Sequence, residues 1–311
     1  MTGAILIGGC GRGQDAATIA PTRIETRKSP PLKAKRAANH DAIPKSAKGR
    51  VVFAVQTKQK VFALTFDDGP QPRYTRQVLD ILKQNKIRAT FFLIGKMVKE
   101  YPNIAREVAA EGHVIGNHTW SHPSHPKNPV AEFQRTDTEI TRVLGRRPDL
   151  FRPPYGLLHN GLSNTARKSG DAVILWNCVA ADWEKKTSTA SISTAVLRLA
   201  KPGGIALLHD GGGNRSHTIA ALPFIINTLR ARGFRFVTVP ELLRISPPVK
   251  MTEHDFWKKN GLKLKNGKVE KLRGKQQSVK RPQTRTQPPK AQPQSVPSQQ
   301  ATPRPTQSGR S

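Results

Sequence analysis

The chain has 311 residues, and its 52 Lys and Arg against 21 Asp and Glu leave a net charge of +31. Hydrophobic residues make up 36%, against about 45–50% for an average globular chain counted with glycine, so part of the length is expected to stay unpacked. Two cysteines exclude a disulfide scaffold or a cysteine zinc finger, and no run of about 18 apolar residues is long enough for a membrane-spanning helix.

Residues 1–57 hold ten basic and three acidic residues and read as a leader followed by a basic linker. Ile7-Gly8-Gly9-Cys10 resembles a bacterial lipobox, which makes Cys10 the expected lipid anchor and the cell envelope, outside the cytoplasm, the expected location. The cationic leader of such a signal is missing; one reading is a natural start upstream, the other a disordered N-terminus with an incidental cysteine. Residues 14–50 are expected to be disordered, with 51–55 opening the folded part.

Strand-like runs then alternate with helical patterns. They read as a strand at 61–66, a helix at 74–85, a strand at 89–94, a helix at 103–110 and a short strand at 114–116. A helix at 130–144, a strand position at Phe151, a helix at 161–169 and a strand at 172–176 follow. A helix at 191–200, a strand at 205–208, a helix at 219–232 and a strand at 234–239 close the series. This alternation predicts an α/β domain over 58–245 with about seven parallel strands, doubly wound or barrel-like. Residues 246–311, with fifteen basic and three acidic residues among Pro and Gln, read as a basic tail, disordered from about residue 265. An anionic cell-envelope polymer is the partner such termini suggest. Nucleic acid is disfavoured, because aromatic residues do not interleave with the charges.

Polar residues stand just after the expected strands: Asp67 and Asp68, His118, Arg152, Asp182 and His209. In parallel α/β folds those strand ends form the active face. Adjacent side chains on an extended segment diverge, so one of Asp67 and Asp68 could ligate a metal while its neighbour faces another group. His118 and His122 are four apart, a spacing that on a helical turn puts both imidazoles on one face, for a divalent metal completed by one carboxylate. His125 is a rival ligand, and His113 reads as structural. No glutamate stands beside His118, so the base must come from elsewhere, and Asp67 is available. Arg152, held extended by Pro153 and Pro154, would orient a carboxylate base and favour its ionised form. A histidine paired with Asp182 would serve as a general acid, and Trp183 would wall an apolar pocket. Cys178 reads as a small buried hydrophobe.

The strings Thr-Phe-Asp-Asp-Gly-Pro (65–70), His-Thr-Trp-Ser-His (118–122), Arg-Pro-Pro-Tyr (152–155), Asp-Trp (182–183) and Ile-Ala-Leu-Leu-His (205–209) occur in this order. Together they resemble the five signatures of the polysaccharide deacetylases, carbohydrate esterase family four, whose domain is also called NodB-homology. The resemblance implies a distorted (β/α) barrel and a metal-dependent hydrolase that removes acetyl groups from N-acetylglucosamine polymers. It implies Asp67 as base, Asp68, His118 and His122 as metal ligands, and Arg152 as the residue that orients the base. It further implies the Tyr155 N–H as oxyanion donor, Asp182 tuning the acid His209, and Trp183 and Leu207 lining the acetyl pocket. Val179 stands three positions before Asp182, where the family often has another Asp. The expected cation is zinc, with cobalt, nickel or manganese as alternatives. The expected substrate is peptidoglycan or a chitin-like glycan. Alternatives are an esterase acting on acetylated xylan and a non-catalytic glycan- or polyanion-binding protein on the same barrel.

Overall fold

The computed structural model describes residues 42–252, 254, 255 and 258, and the backbone of 262–265 and 268–271. Cys10, the rest of the N-terminal leader and the end of the basic tail lie outside the described residues. Among the described residues no helix is long and apolar enough to cross a membrane.

Nine parallel strands form one curled sheet. They are β1 (Val51–Val52), β2 (Val61–Asp67), β3 (Thr90–Leu93), β4 (Val114–Asn117), β5 (Leu150–Phe151), β6 (Ala172–Ile174), β7 (Cys178–Val179), β8 (Gly204–His209) and β9 (Arg235–Phe236). The order is β1-β6-β5-β4-β3-β2-β8-β7, with β9 also pairing β2. The helices are α1 (Tyr74–Gln84), α2 (Gly95–Glu100), α3 (Pro102–Ala110), α4 (Pro129–Leu144), α5 (Leu162–Lys168), α6 (Thr189–Leu199), α7 (Ser216–Ala231) and α8 (Val239–Ile245).

Every residue of β2 is buried, as expected of a strand covered on both faces. Its side chains alternate between two cores. Phe62, Leu64 and Phe66 pack outward with Val78 and Leu82 of α1 and Ile225 and Leu229 of α7. Val61 and Ala63 face inward, with Phe92, Ile174, Ile205 and Leu207. The inward row of β2 continues through Thr65 to Asp67, so the same alternation that fills the inner core ends on a carboxylate.

Several expectations shift. The run at 51–55 opens the sheet as expected, with β1 pairing β6 as an edge strand, but the folded unit begins earlier: Ile43 and Ala47 are buried and tie down residues 42–50, against the expectation of disorder there. The expected strand at 234–239 is cut to two residues because Thr238 caps α8. Within the basic segment, β10 (Leu262–Lys265) and β11 (Lys268–Lys271) form an antiparallel pair.

Candidate active site

Strand register brings the functional residues to one end of the sheet. Asp67 is the Cα partner of Phe92 on β3 and of His209 on β8. Leu93 pairs with Asn117, which pairs with Phe151. His118 and Arg152 are therefore the first residues beyond the adjacent strands β4 and β5, which lie across β3 from the strand that ends in Asp67. Asp67, His118, Arg152 and His209 thus stand at one end of the sheet.

Arg152 is fully buried, and its guanidinium reaches back inside the sheet. Its Nη1 donates to Asp67 Oδ1 at 2.7 Å and to Thr65 Oγ1 at 2.8 Å, and its Nε donates to the Ile174 carbonyl at 3.1 Å. The guanidinium carbon lies 4.1 Å from the centroid of the Phe92 ring. A planar fork with fixed donors on all sides suits such a buried cation, and lysine would not reproduce it. Burial pushes the Asp67 carboxyl up, with Arg152 and His209 pulling against it, so this carboxylate is a stronger base than an exposed one.

The two adjacent carboxylates converge and do not diverge. Asp68 leaves the strand with φ 74°, which breaks the alternation of an extended segment. Asp68 Oδ1 lies 3.5 Å from His118 Nε2 and 3.4 Å from His122 Nε2, while Asp67 Oδ2 stands 3.7 Å from His118 Nε2. The two histidines do not share a helical turn either. They sit on a loop in which Thr119 (φ 67°) and His122 (φ 58°) are left-handed, and their ring centroids are 4.9 Å apart. Left-handed non-glycine residues store strain and cluster at functional sites. Tyr155 (φ 58°) and Ala181 (φ 52°) belong to the same group. His125 lies in an exposed stretch against Ser124 and stands outside the cluster. His113 is structural: its Nδ1 accepts from the Ala89 N–H, and burial lowers its pKa to about 4.

Residues of the acid side form a second assembly. His209 Nδ1 lies 2.8 Å from Asp182 Oδ1, while Asp182 Oδ2 accepts from the His209 N–H and from Thr218 Oγ1, both at 2.9 Å. Burial alone would lower His209, but the charge and hydrogen bond of Asp182 outweigh it and bring the imidazole to about 9. His209 is thus an imidazolium at neutral pH. Trp183 is 41% exposed, with its ring edge-on to His209 at 5.4 Å, so it borders the site and is not a core tryptophan. Leu207 is buried in the inner core, and Tyr155 is half exposed with its ring edge-on to His122 at 4.7 Å.

Residues 54–174 match the sequence model of the polysaccharide deacetylases. A peptidoglycan-N-acetylglucosamine deacetylase of Bacillus cereus is 43% identical over 202 residues, which is 63% of this chain and 94% of that relative. The chain belongs to the polysaccharide deacetylase family. A chitooligosaccharide deacetylase of Azorhizobium caulinodans is 35% identical over 63% of this chain and all of that relative. The crystal structure of the Bc1960 peptidoglycan N-acetylglucosamine deacetylase superposes with a TM-score of 0.60 at 36% identity, covering 64% of this chain and 95% of that one.

Polysaccharide deacetylases of this kind are metal-dependent, and the residues here fit a cation. Asp68 Oδ1 is buried without a hydrogen-bond partner, and the three ligand atoms of Asp68, His118 and His122 lie within 4.8 Å of one another. His118 Nδ1 donates to the Arg152 carbonyl at 2.7 Å, which leaves the Nε2 lone pair facing the carboxylate. Burial, aided by His122, drives His118 down to about 3, so it is the neutral, ligating form. Ligands about 2.0–2.1 Å from a tetrahedral ion sit about 3.3–3.4 Å from each other, close to the separations found.

Val179, three positions before Asp182, packs on β7 beside Leu207. Support for the Asp182 loop comes from elsewhere. Thr187 Oγ1 donates to the Ala181 carbonyl at 2.9 Å, and the buried Arg215 donates to the Asp182 carbonyl at 3.2 Å. Sequence reading did not single out Thr65, Asn117, Thr218 or Arg215 as site residues. Only Thr65 carried a usable signal, standing two residues before Asp67 on one face of a strand.

Proposed function

We propose that this deacetylase removes N-acetyl groups from N-acetylglucosamine-containing polysaccharide at the cell envelope, with peptidoglycan as its substrate and zinc as its cation. The named activities of the relatives support the reaction. The basic segments on both sides of the domain favour an anionic wall-associated polymer over a neutral glycan. Two imidazoles and one carboxylate with open positions suit zinc.

The observation that carries this reading is the asymmetry of the two sides. Asp67, register partner of His209, has Oδ1 held by Arg152 and Oδ2 turned to the cluster, 3.7 Å from His118 Nε2, while His209 is an imidazolium held by Asp182. A base and an acid thus stand on adjacent strands, and the acid side already carries its proton.

Asp68, His118 and His122 would hold a divalent cation, whose charge would polarise the acetamide carbonyl and make a water more acidic. Asp67 Oδ2 accepts the proton of the attacking water, and Arg152 keeps the carboxylate aimed at it. The Tyr155 N–H donates to the oxyanion as the carbonyl carbon becomes tetrahedral. His209 gives its proton to the departing nitrogen, so the amine leaves neutral as acetate forms. Trp183 and Leu207 bound the space for the acetyl methyl.

Acetate release from N-acetylated peptidoglycan, chito-oligosaccharide and acetylated xylan, with and without chelator, tests the reading. Release from peptidoglycan that stops with chelator and falls about 10²–10⁴-fold in Asp67→Asn is expected. Chelator-insensitive release, or release by Asp67→Asn at the wild-type rate, would falsify it; preference for xylan would reassign the substrate.

A further inference from the structure

The loop that carries both imidazoles is held from outside the cluster, by the first three turns of α4. Ser121 donates twice to Glu132: its N–H to Oε2 at 2.9 Å and its hydroxyl to Oε1 at 2.8 Å. One turn further along, Asp137 Oδ1 accepts from Asn117 Nδ2 at 2.7 Å, and the Phe133 carbonyl accepts from the same nitrogen at 3.0 Å. With its amide thus fixed, Asn117 turns Oδ1 to the Thr119 N–H at 2.8 Å. Thr119 Oγ1 in turn accepts from the His122 N–H at 3.1 Å. Asp137 is itself anchored by Arg147 Nε on Oδ2 at 2.7 Å.

These contacts form a continuous chain from Arg147 through Asp137, Asn117 and Thr119 to the backbone of His122. A second arm runs from Glu132 to Ser121. The backbone they hold includes both left-handed residues, Thr119 and His122, which a free loop would abandon. Neither Glu132 nor Asp137 belongs to the Asp68, His118 and His122 cluster.

We propose that Glu132 and Asp137 are positioning residues: α4 holds the His118–His122 loop in its ligating shape before the cation arrives and thereby sets the affinity for it. The inference rests on the metal reading given above. A loop that had to be reordered by the cation would bind it more weakly, since ordering would be charged against binding. Outer partners of metal ligands typically change affinity or activity by about 10–100-fold.

The test is the zinc dissociation constant of the full chain, measured by competition with a chromogenic chelator, in wild type, Glu132→Ala, Glu132→Gln and Asp137→Ala. Glu132→Ala and Asp137→Ala are expected to weaken zinc by about 10–100-fold. Glu132→Gln, which still accepts the Ser121 N–H, should recover to within a few-fold. Melting of the zinc-free Glu132→Ala protein should match zinc-free wild type, and its kcat should return at saturating zinc. A purely structural role would move the melting and leave the dissociation constant alone. Should Asp137→Ala fail to fold, the more exposed Glu132 pair decides. Zinc binding within about twofold of wild type in Glu132→Ala, or a Gln variant as weak as the Ala variant, overturns the positioning role. Wild-type protein that binds no zinc overturns the metal reading and this inference with it.

Discussion

Asp182 lets a buried imidazole keep its proton at neutral pH, and that proton has a measurable titration. Removing the charge in Asp182→Asn leaves burial as the dominant influence on His209, so its pKa must fall from about 9. The alkaline limb of the kcat–pH profile should therefore move to lower pH in this variant; a limb that stays in place would show that another group supplies the proton. Stability carries the same sign. A histidine raised above its unfolded value near 6.5 contributes fully below that pH and loses the contribution as pH rises through about 9. The difference in melting temperature between wild type and Asp182→Asn should thus be larger at pH 6 than at pH 9.5. Gly212 shows how tightly the metal side is built. It sits at φ 69°, and a Cβ there would meet Asp68 Oδ2 at 2.4 Å. Gly212→Ala should displace the carboxylate and lose cation binding by elemental analysis while the far-ultraviolet circular dichroism persists; full metal content in the folded variant would contradict this. At this scale the chemical side chains were legible, because Asp67, Asp68, His118, Arg152, Asp182 and His209 all follow apolar strands. Their orienting partners were not: a hydroxyl such as Thr218 or an amide such as Asn117 gains its role only through tertiary contact.

Among the elements, the long strands and helices were readable from periodicity, and the short ones were not. The six-residue α2 begins at a glycine with no side-chain cap, so it leaves little signal. The short helix α8 did leave one: Thr238 and Glu241 form a reciprocal capping box with Pro240 in the first turn. Reading Val237 and Val239 as strand missed that stop. The cap also fixes where the chain turns away from β2, since the Val239 N–H donates to Thr90 Oγ1 on β3. Thr238→Ala should destabilise the fold by about 0.5–2 kcal/mol in urea unfolding, with the slope unchanged. No change would mean that packing of Leu242 and Leu243 alone holds the helix. The histidine loop failed the helical expectation for the opposite reason: i,i+4 spacing is also what a tight loop with two left-handed residues produces, and only Asn117, Thr119 and the α4 carboxylates distinguish the cases.

For the whole molecule, a parallel sheet buried on both faces explains why the active face could be placed from sequence while the domain edge could not. The strand ends are defined by apolar runs, as is the run at 51–55, but upstream of it residues 42–50 join the core through only two buried apolar positions, Ile43 and Ala47. Within this framework the ligand cluster, the Arg152–Asp67 pair and the Asp182–His209 pair come from separate strand ends and meet only when the entire sheet forms. Cation binding should therefore be a property of the folded chain, lost on unfolding in urea and regained on refolding. The most direct measurement is the stoichiometry of divalent cation on the purified full chain, set beside His118→Ala and Asp68→Asn. One equivalent on wild type and none on either folded variant is expected; an equivalent retained by both variants would place the cation elsewhere and remove the basis for the chemistry proposed.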